Sequence, residues 1–499
     1  MSDPSRLTPL LIVIAGVLAL PVTALLVGRY RVAVAGSMSM PGRQVPETSR
    51  EPAPPRPDLA GGTELLRGAT RRQVLVTVGA GAFIGSTYSA FFLAWNELAF
   101  TPGRYLVVAI LLSWPAVPGV WVTTDGDSRT TLTAAAVYLA ALVTVTAAVP
   151  GIAITSGLEA WNTFNLIPTV VMVGFLSRTF RAIGVCVLGV ALTAVVGAHT
   201  VITAAGWTAW PQVLAVLAIA LGLSALVGWW AFVQLAHLYA RYWFSDHMLL
   251  LGSLCLAFCI DYAAQVAAGD PAALAVGFGL FIALSALVTL TYRYVIVAPA
   301  SPRHLLLLRV FDRASSSRGL LNQVASRWRH LGPVRMIAGP DLAASTVEPD
   351  EFLTFVGGHL GRLFIADGDS LEGRLSELGH SPDPDGRYRI EELFCFDTTW
   401  KAAVLALLAR SDTVLMDLRG LTADRRGALH ELEVLGRELA LPRTVMIVDE
   451  RTDMTVLERI VAEAGAGEPQ IIHLAAHDSD PRQVLDDLFR RAAPPLPTQ

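Results

Sequence analysis

Lysine is almost missing from this 499-residue chain: Lys401 stands alone among 38 basic side chains. An arginine-for-lysine and Ala/Val/Gly bias of this kind is what a GC-rich bacterial genome imposes on coding sequence. It also restricts chemistry, because any step that needs an ammonium group must use Lys401. A phosphate-binding loop, which needs Gly-Lys-Ser/Thr after a strand, is therefore excluded. Phospho-acceptor chemistry of the receiver type wants a lysine at the end of a fifth strand, where this chain has His473, Ala475 and Ala476. Cysteine is scarce too. The four residues at 186, 255, 259 and 395 form no C-x-x-C pair, so neither a disulfide framework nor a thiolate metal site is expected. The expectation is packing thiols and no metal. No G-x-G-x-x-G follows the first expected strand, where the chain reads Phe311-Asp312-Arg313-Ala314-Ser315.

Charge is scarce in one part only. Residues 1–302 carry 27 charged side chains and the remaining 197 carry 53. A segment so poor in charge cannot stay solvated, whereas the rest has the composition of a globular domain. That second part has 30 acids against 23 bases and no basic stripe, which excludes the grip on phosphates that nucleic-acid binding requires.

Apolar runs long enough to cross a bilayer, ~20 residues each, begin near 8–28. They continue near 74–96, 105–123, 131–150, 163–178, 182–203, 211–236, 248–268 and 272–297. This predicts about nine spans, or eight if the short fifth run does not cross. Prolines 21, 115, 118 and 168 fall inside them and should free backbone carbonyls that neighbouring helices resatisfy. Arginine placement sets the orientation. Arg29, Arg31, Arg43, Arg50, Arg56, Arg67, Arg71, Arg72, Arg129, Arg178, Arg181, Arg241, Arg293 and Arg303 fall on one side, and only Arg6 and Arg104 on the other. The N-terminus is expected outside and the C-terminal domain in the cytoplasm of a multi-pass plasma-membrane protein. Residues 37–72, rich in Pro, Gly and Arg, are expected to be a mobile linker between an N-terminal helix (1–36) and the rest of the bundle (73–300). Within the bundle Asp261, with Gln265 one turn on, is the main ionisable candidate. It reads as a structural hydrogen-bonding group, with an ion or proton site as the alternative.

From residue 301 to 493 the pattern is that of an α/β domain. Strands are expected at 304–311, 334–338, 413–418, 444–449 and 470–475, and helices near 316–331, 398–410, 425–440, 453–464 and 481–491. Continuous apolar strands between amphipathic helices indicate a five-stranded parallel sheet covered on both faces, wound like flavodoxin. An excursion at 340–396 interrupts the rhythm, with helices near 349–364 and 370–379 and a strand near 387–394. It follows the second strand, on the edge where such folds bind ligands.

The stretch Trp400-Lys401-Ala402-Ala403-Val404-Leu405-Ala406-Leu407-Leu408-Ala409-Arg410-Ser411-Asp412-Thr413-Val414-Leu415-Met416-Asp417-Leu418, with the order of elements around it, resembles a Toll/interleukin-1 receptor (TIR) domain. The resemblance covers roughly 150 residues of pattern. It implies a site on the next helix, Arg425-Arg426-Gly427-Ala428-Leu429-His430-Glu431-Leu432-Glu433. There Glu431 would be the catalytic carboxylate of an NAD-cleaving member, and Asp312, Ser315 and Asp417 would contact the nucleotide. NAD would be a substrate, with no resident cofactor implied. The family's Trp-Cys pair ahead of that glutamate is replaced by Gly427-Ala428, and the loop after the second strand is enlarged. The residues alone offer a plainer reading. A buried stripe of Leu429, Leu432, Leu435 and Leu439 would put Glu431 on a solvated face.

Three functions follow as expectations. The first is a membrane-anchored signalling or sensor protein with a TIR-like nucleotide-binding or interaction domain. The others are an NAD-cleaving effector using Glu431, and a transporter or channel with a regulatory domain. The expected partners are the lipid bilayer, further copies of the chain, and a protein docking on the acidic domain.

Overall fold

Residues 305–308 are four consecutive leucines, all buried, with alternate side chains on opposite faces of one strand. Both faces of a sheet must therefore be covered. The computed structural model shows how. It describes residues 10–38, 43–47, 62–177, 180, 183–267, 270, 272–295, 302–309, 315–338, 349–379, 381–396, 398–465, 467–475 and 481–491. The chain divides into two compact units, one of residues 1–30, 70–296 and 346–357, the other of residues 31–69, 297–345 and 358–499.

The first unit is a helical bundle. Among the described residues of the chain, eight helices are long and apolar enough to cross a membrane: Leu11–Ser37, Gly62–Trp95, Pro102–Thr123, Ser128–Ala148, Gly184–Ala205, Trp210–Ala240, Asp246–Val266 and Leu274–Val295. The expectation was about nine spans, or eight if the short fifth run does not cross, and by length and composition eight helices qualify. The run expected at 163–178 forms Ile154–Trp161, a π turn at Asn162–Leu166 and Ile167–Phe175. It is interrupted, and Asn162, Asn165 and Glu159 dilute its apolar character.

A second interruption has a covalent cause. The third apolar helix is broken between Pro102–Leu112 and Ala116–Thr123. Pro115 has no N–H to give the carbonyl of Leu111, four residues back. That carbonyl instead accepts the Tyr138 hydroxyl at 2.8 Å and the Asn165 Nδ2 at 2.9 Å. Asn165 Oδ1 in turn accepts the Tyr262 hydroxyl. The two interrupted helices are so joined through one buried asparagine.

The helix Pro349–Val356 belongs to this first unit and not to the α/β domain, where it was expected within the excursion. Tyr30 donates to Glu351 at 2.8 Å, and Phe352 sits against Phe232 with ring centroids 6.2 Å apart. Its two phenylalanines give it an apolar face, which the bundle buries.

The second unit holds a parallel sheet of seven strands, not the five expected: β1 Leu305–Arg309, β2 Val334–Ala338, β3 Phe364–Ile365, β4 Ile390–Cys395, β5 Thr413–Asp417, β6 Thr444–Val448 and β7 Gln470–His473. Their order is β3-β4-β2-β1-β5-β6-β7. Strands β2-β1-β5-β6-β7 are the five expected, in the doubly wound order, and the excursion adds β3 and β4 outside β2. One face packs Leu305, Leu307 and Leu415 against Leu321, Trp328 and Phe489. The other packs Leu306, Leu308 and Met416 against the helices Trp400–Leu408, Arg426–Arg437 and Met454–Ala464. The helix Gly62–Trp95 begins inside the segment expected to be a mobile linker, and its Leu66 joins the first of these cores.

Candidate functional site

Strand order reverses at β1, which pairs with β2 on one side and β5 on the other. In parallel α/β sheets the crevice beyond the strand ends at such a point is where ligands bind. Asp417 ends β5 there, in register with Arg309 at the end of β1. Asp312 lies outside the described residues. Ser315 opens the helix Ser315–Trp328 that follows β1.

The carboxylate of Asp417 is already engaged. Arg419 Nε donates to Oδ1 at 2.9 Å and Arg419 Nη2 to Oδ2 at 2.7 Å, with both side chains buried. The next strand repeats the device. Asp449 follows β6 and takes Arg451 Nη2 on Oδ2 at 2.9 Å. Asp449 Oδ1 also accepts the Gly420 N–H at 2.8 Å, while Thr452 Oγ1 donates to the Leu418 carbonyl at 3.0 Å. These bonds tie the loops after β5 and β6 into one piece. Burial pushes the Asp449 carboxyl up, but the bonds from Gly420, Arg451 and Thr452 outweigh it and hold the group below its usual range. Gly420 lies at φ +70°, a conformation that favours glycine. The pair Asp417-Leu418-Arg419 and Asp449-Glu450-Arg451 was a legible signal: the same spacing directly after two strands.

Glu431 sits in the helix Arg426–Arg437 and is buried, with 2% of its surface exposed. The solvated-face reading is corrected. The buried stripe runs Ala428, Glu431, Leu432 and Leu435, at helical spacings of three and four. Leu439 lies past the helix end at φ +54° and is exposed, so it could not define the stripe. A carboxylate inside an apolar stripe is costly unless it is bonded, and its position six residues into the helix after β5 is the one the TIR resemblance marks.

Beside it lies a charged cluster. Trp400 and His430 meet edge to face at 5.3 Å. Residues 43–47, between the first two apolar helices in sequence, dock here within the second unit. Arg43 N–H donates to the Ala366 carbonyl at 2.8 Å, Val45 packs on the core, and Glu47 lies 3.8 Å from Lys401 Nζ, 3.7 Å from His430 Nε2 and 4.0 Å from Arg437 Nη2. Burial and the neighbouring Lys401 hold the His430 imidazole below its ordinary range, partly offset by Glu47 and Glu433. The only lysine of the chain thus serves an ion pair with this strap. Among the described residues no group of three or more His, Cys, Asp or Glu side chains is placed to hold a metal ion.

Together these features define a helical bundle joined to a parallel α/β domain whose sheet edge is closed by two Asp–Arg forks, with a buried carboxylate on the adjoining helix. Comparison with family models, curated proteins and solved structures finds no match to this chain.

Proposed function

We propose that the chain is a multi-pass membrane signalling protein whose cytoplasmic α/β domain recognises a nucleotide at the β1–β5 edge, with Glu431 as the reactive carboxylate. The observation that carries this reading is the burial of Glu431 within the apolar stripe of the helix after β5. Glu431 is also the carboxylate that the TIR resemblance marks, and buried titratable groups concentrate at functional sites. In that role it would stabilise positive charge developing on a ribose as nicotinamide departs. Arg451, more than half exposed beside Asp449, supplies a guanidinium group at the same edge, suited to phosphate recognition.

The membrane placement rests on the eight apolar helices and on the interrupted helix Ile154–Phe175 counted as a ninth crossing. Its 22 residues reach ~33 Å at 1.5 Å each, enough for a ~30 Å hydrocarbon core. Nine crossings keep fourteen arginines inside against two outside, with the C-terminal domain cytoplasmic and the N-terminus outside. The strap at 43–47 gives the bundle a covalent route to the domain beside Glu431. Further copies of the chain, or a protein docked on the acidic surface, are the partners this role would use.

A second reading, transport, is favoured by the broken crossing at 113–115 and the π turn at 162–166, since discontinuous helices mark binding sites in transporters. Against it, the groups at the break bond to one another through Asn165. Asp261 is likewise engaged by Gln265 Nε2 at 2.6 Å, which suits a brace better than a pathway.

The test is NAD consumption by the full chain in lipid nanodiscs, with Glu431→Gln alongside. Turnover by the wild type and its loss in the variant support the reading. Equal turnover by both removes Glu431 from the site.

A further inference from the structure

The bundle contains a cavity of about 600 Å³, inside the ~300–1,000 Å³ range of ligand pockets. Its deep wall is apolar, formed by Ile84, Leu254, Phe281 and Leu284. Its polar residues are few, and two of them lie toward one end. Gln234 and Thr289 line the cavity about two turns from the helix ends at Ala240 and Val295. Along the last helix the lining runs from Phe281 to Tyr292, eleven residues or ~16 Å. That is about half of the ~30 Å hydrocarbon thickness, the depth of one leaflet.

A space lined this way does not hold water, which needs several polar partners, and leaving it empty would forfeit dispersion contacts along its walls. We propose that it binds one hydrocarbon chain of a membrane lipid. The chain's end lies near Ile84 and Phe281, and its polar attachment lies at Gln234 and Thr289. The inference rests on the membrane reading and is independent of Glu431. Length match to a single leaflet, with Gln234 and Thr289 toward the helix ends, selects a lipid chain over a compact apolar molecule.

Gly252 offers a clean probe. It lines the cavity, and a Cβ built on it meets no atom within 4 Å. Gly252→Leu therefore fills the space while improving helix propensity. Ser285→Leu, also in the wall, gives an independent second variant. The full chain is reconstituted with a phospholipid carrying a photoactivatable diazirine near the end of one acyl chain, and adducts are mapped by mass spectrometry. Wild type should carry adducts at Ile84 or Phe281, and both variants should lose them. Adducts at Leu223 and Leu226, which are exposed on the bundle surface, should persist in all three. Cavity adducts undiminished in both variants, or absent from wild type while Leu223 and Leu226 are labelled, would overturn the proposal. No adducts anywhere would overturn the membrane reading beneath it.

Discussion

Asp417 and Arg419, two residues apart at the end of β5, face each other through two hydrogen bonds of 2.9 and 2.7 Å while both are buried. The pair closes the sheet edge where a ligand crevice is expected, so it serves the loop's shape before it serves any ligand. Removing one partner leaves the other charge buried. Asp417→Ala should therefore lower domain stability by about 3–5 kcal/mol. The double variant Asp417→Ala/Arg419→Leu should recover a large part of that loss. Thermal unfolding of the single and double variants measures the coupling, and simple additivity would show that the fork contributes nothing as a unit.

Glu47 holds the strap through Lys401, His430 and Arg437, all partly exposed. Such pairs contribute only ~0–1 kcal/mol each, so Glu47→Lys should barely change the melting temperature. It should nonetheless speed hydrogen exchange of residues 43–47, because it sets a cation beside Lys401 and Arg437. Raised salt should do the same to the wild type, by screening. Unchanged exchange in both would mean that Val45 and the Arg43 backbone bond hold the strap alone.

His330 is buried, and burial together with Arg387 and Arg329 holds its imidazole well below the ordinary value of 6.5. The unfolded chain then binds the proton first. Stability should be full above about pH 6.5 and fall as pH drops below it, by up to ~1.4 kcal/mol per pH unit for this one group. Thermal unfolding between pH 7 and pH 5 should show a shallower fall for His330→Gln than for the wild type. Parallel curves would assign the acid sensitivity to other groups.

Asn165 donates to the carbonyl that Pro115 leaves open and accepts from Tyr262. Asn165→Leu keeps the number of side-chain heavy atoms but strips a buried hydroxyl of its acceptor, at a cost of ~1–3 kcal/mol. Lower thermal stability of the bundle in nanodiscs, with Tyr138→Phe adding to it, is the expected outcome. A neutral Asn165→Leu would show the brace to be dispensable.

Much of this architecture was legible in the sequence. The five strands β1, β2, β5, β6 and β7 appear at the expected places because each is apolar on both faces and bounded by turn residues. β3 escaped notice because it is two residues long, Phe364–Ile365, too short for any periodicity. The helix Pro349–Val356 was visible as a helix but not as part of the bundle, since amphipathicity tells that a face is buried and not against what. Glu431 shows the same limit. Hydrophobic spacing alone chose leucines for the stripe, and a buried acid within that stripe reads as polar surface until the fold is known. The strap carries almost no local signal, because its five residues are placed by partners as distant in sequence as Ala366, Lys401 and Arg437. Pro115 was the opposite case: a missing N–H is legible in one letter, and only the donors that replace it needed the structure.

On the proposed reading Glu431 acts chemically at a nucleotide site. The most direct measurement is NAD turnover by the full chain, crowded in nanodiscs, against Glu431→Gln, which preserves the side chain's volume and removes its charge. The account predicts nicotinamide release by the wild type and none by the variant, with both showing the same unfolding transition. Nicotinamide release that persists in Glu431→Gln, or none from a folded and crowded wild type, would contradict it.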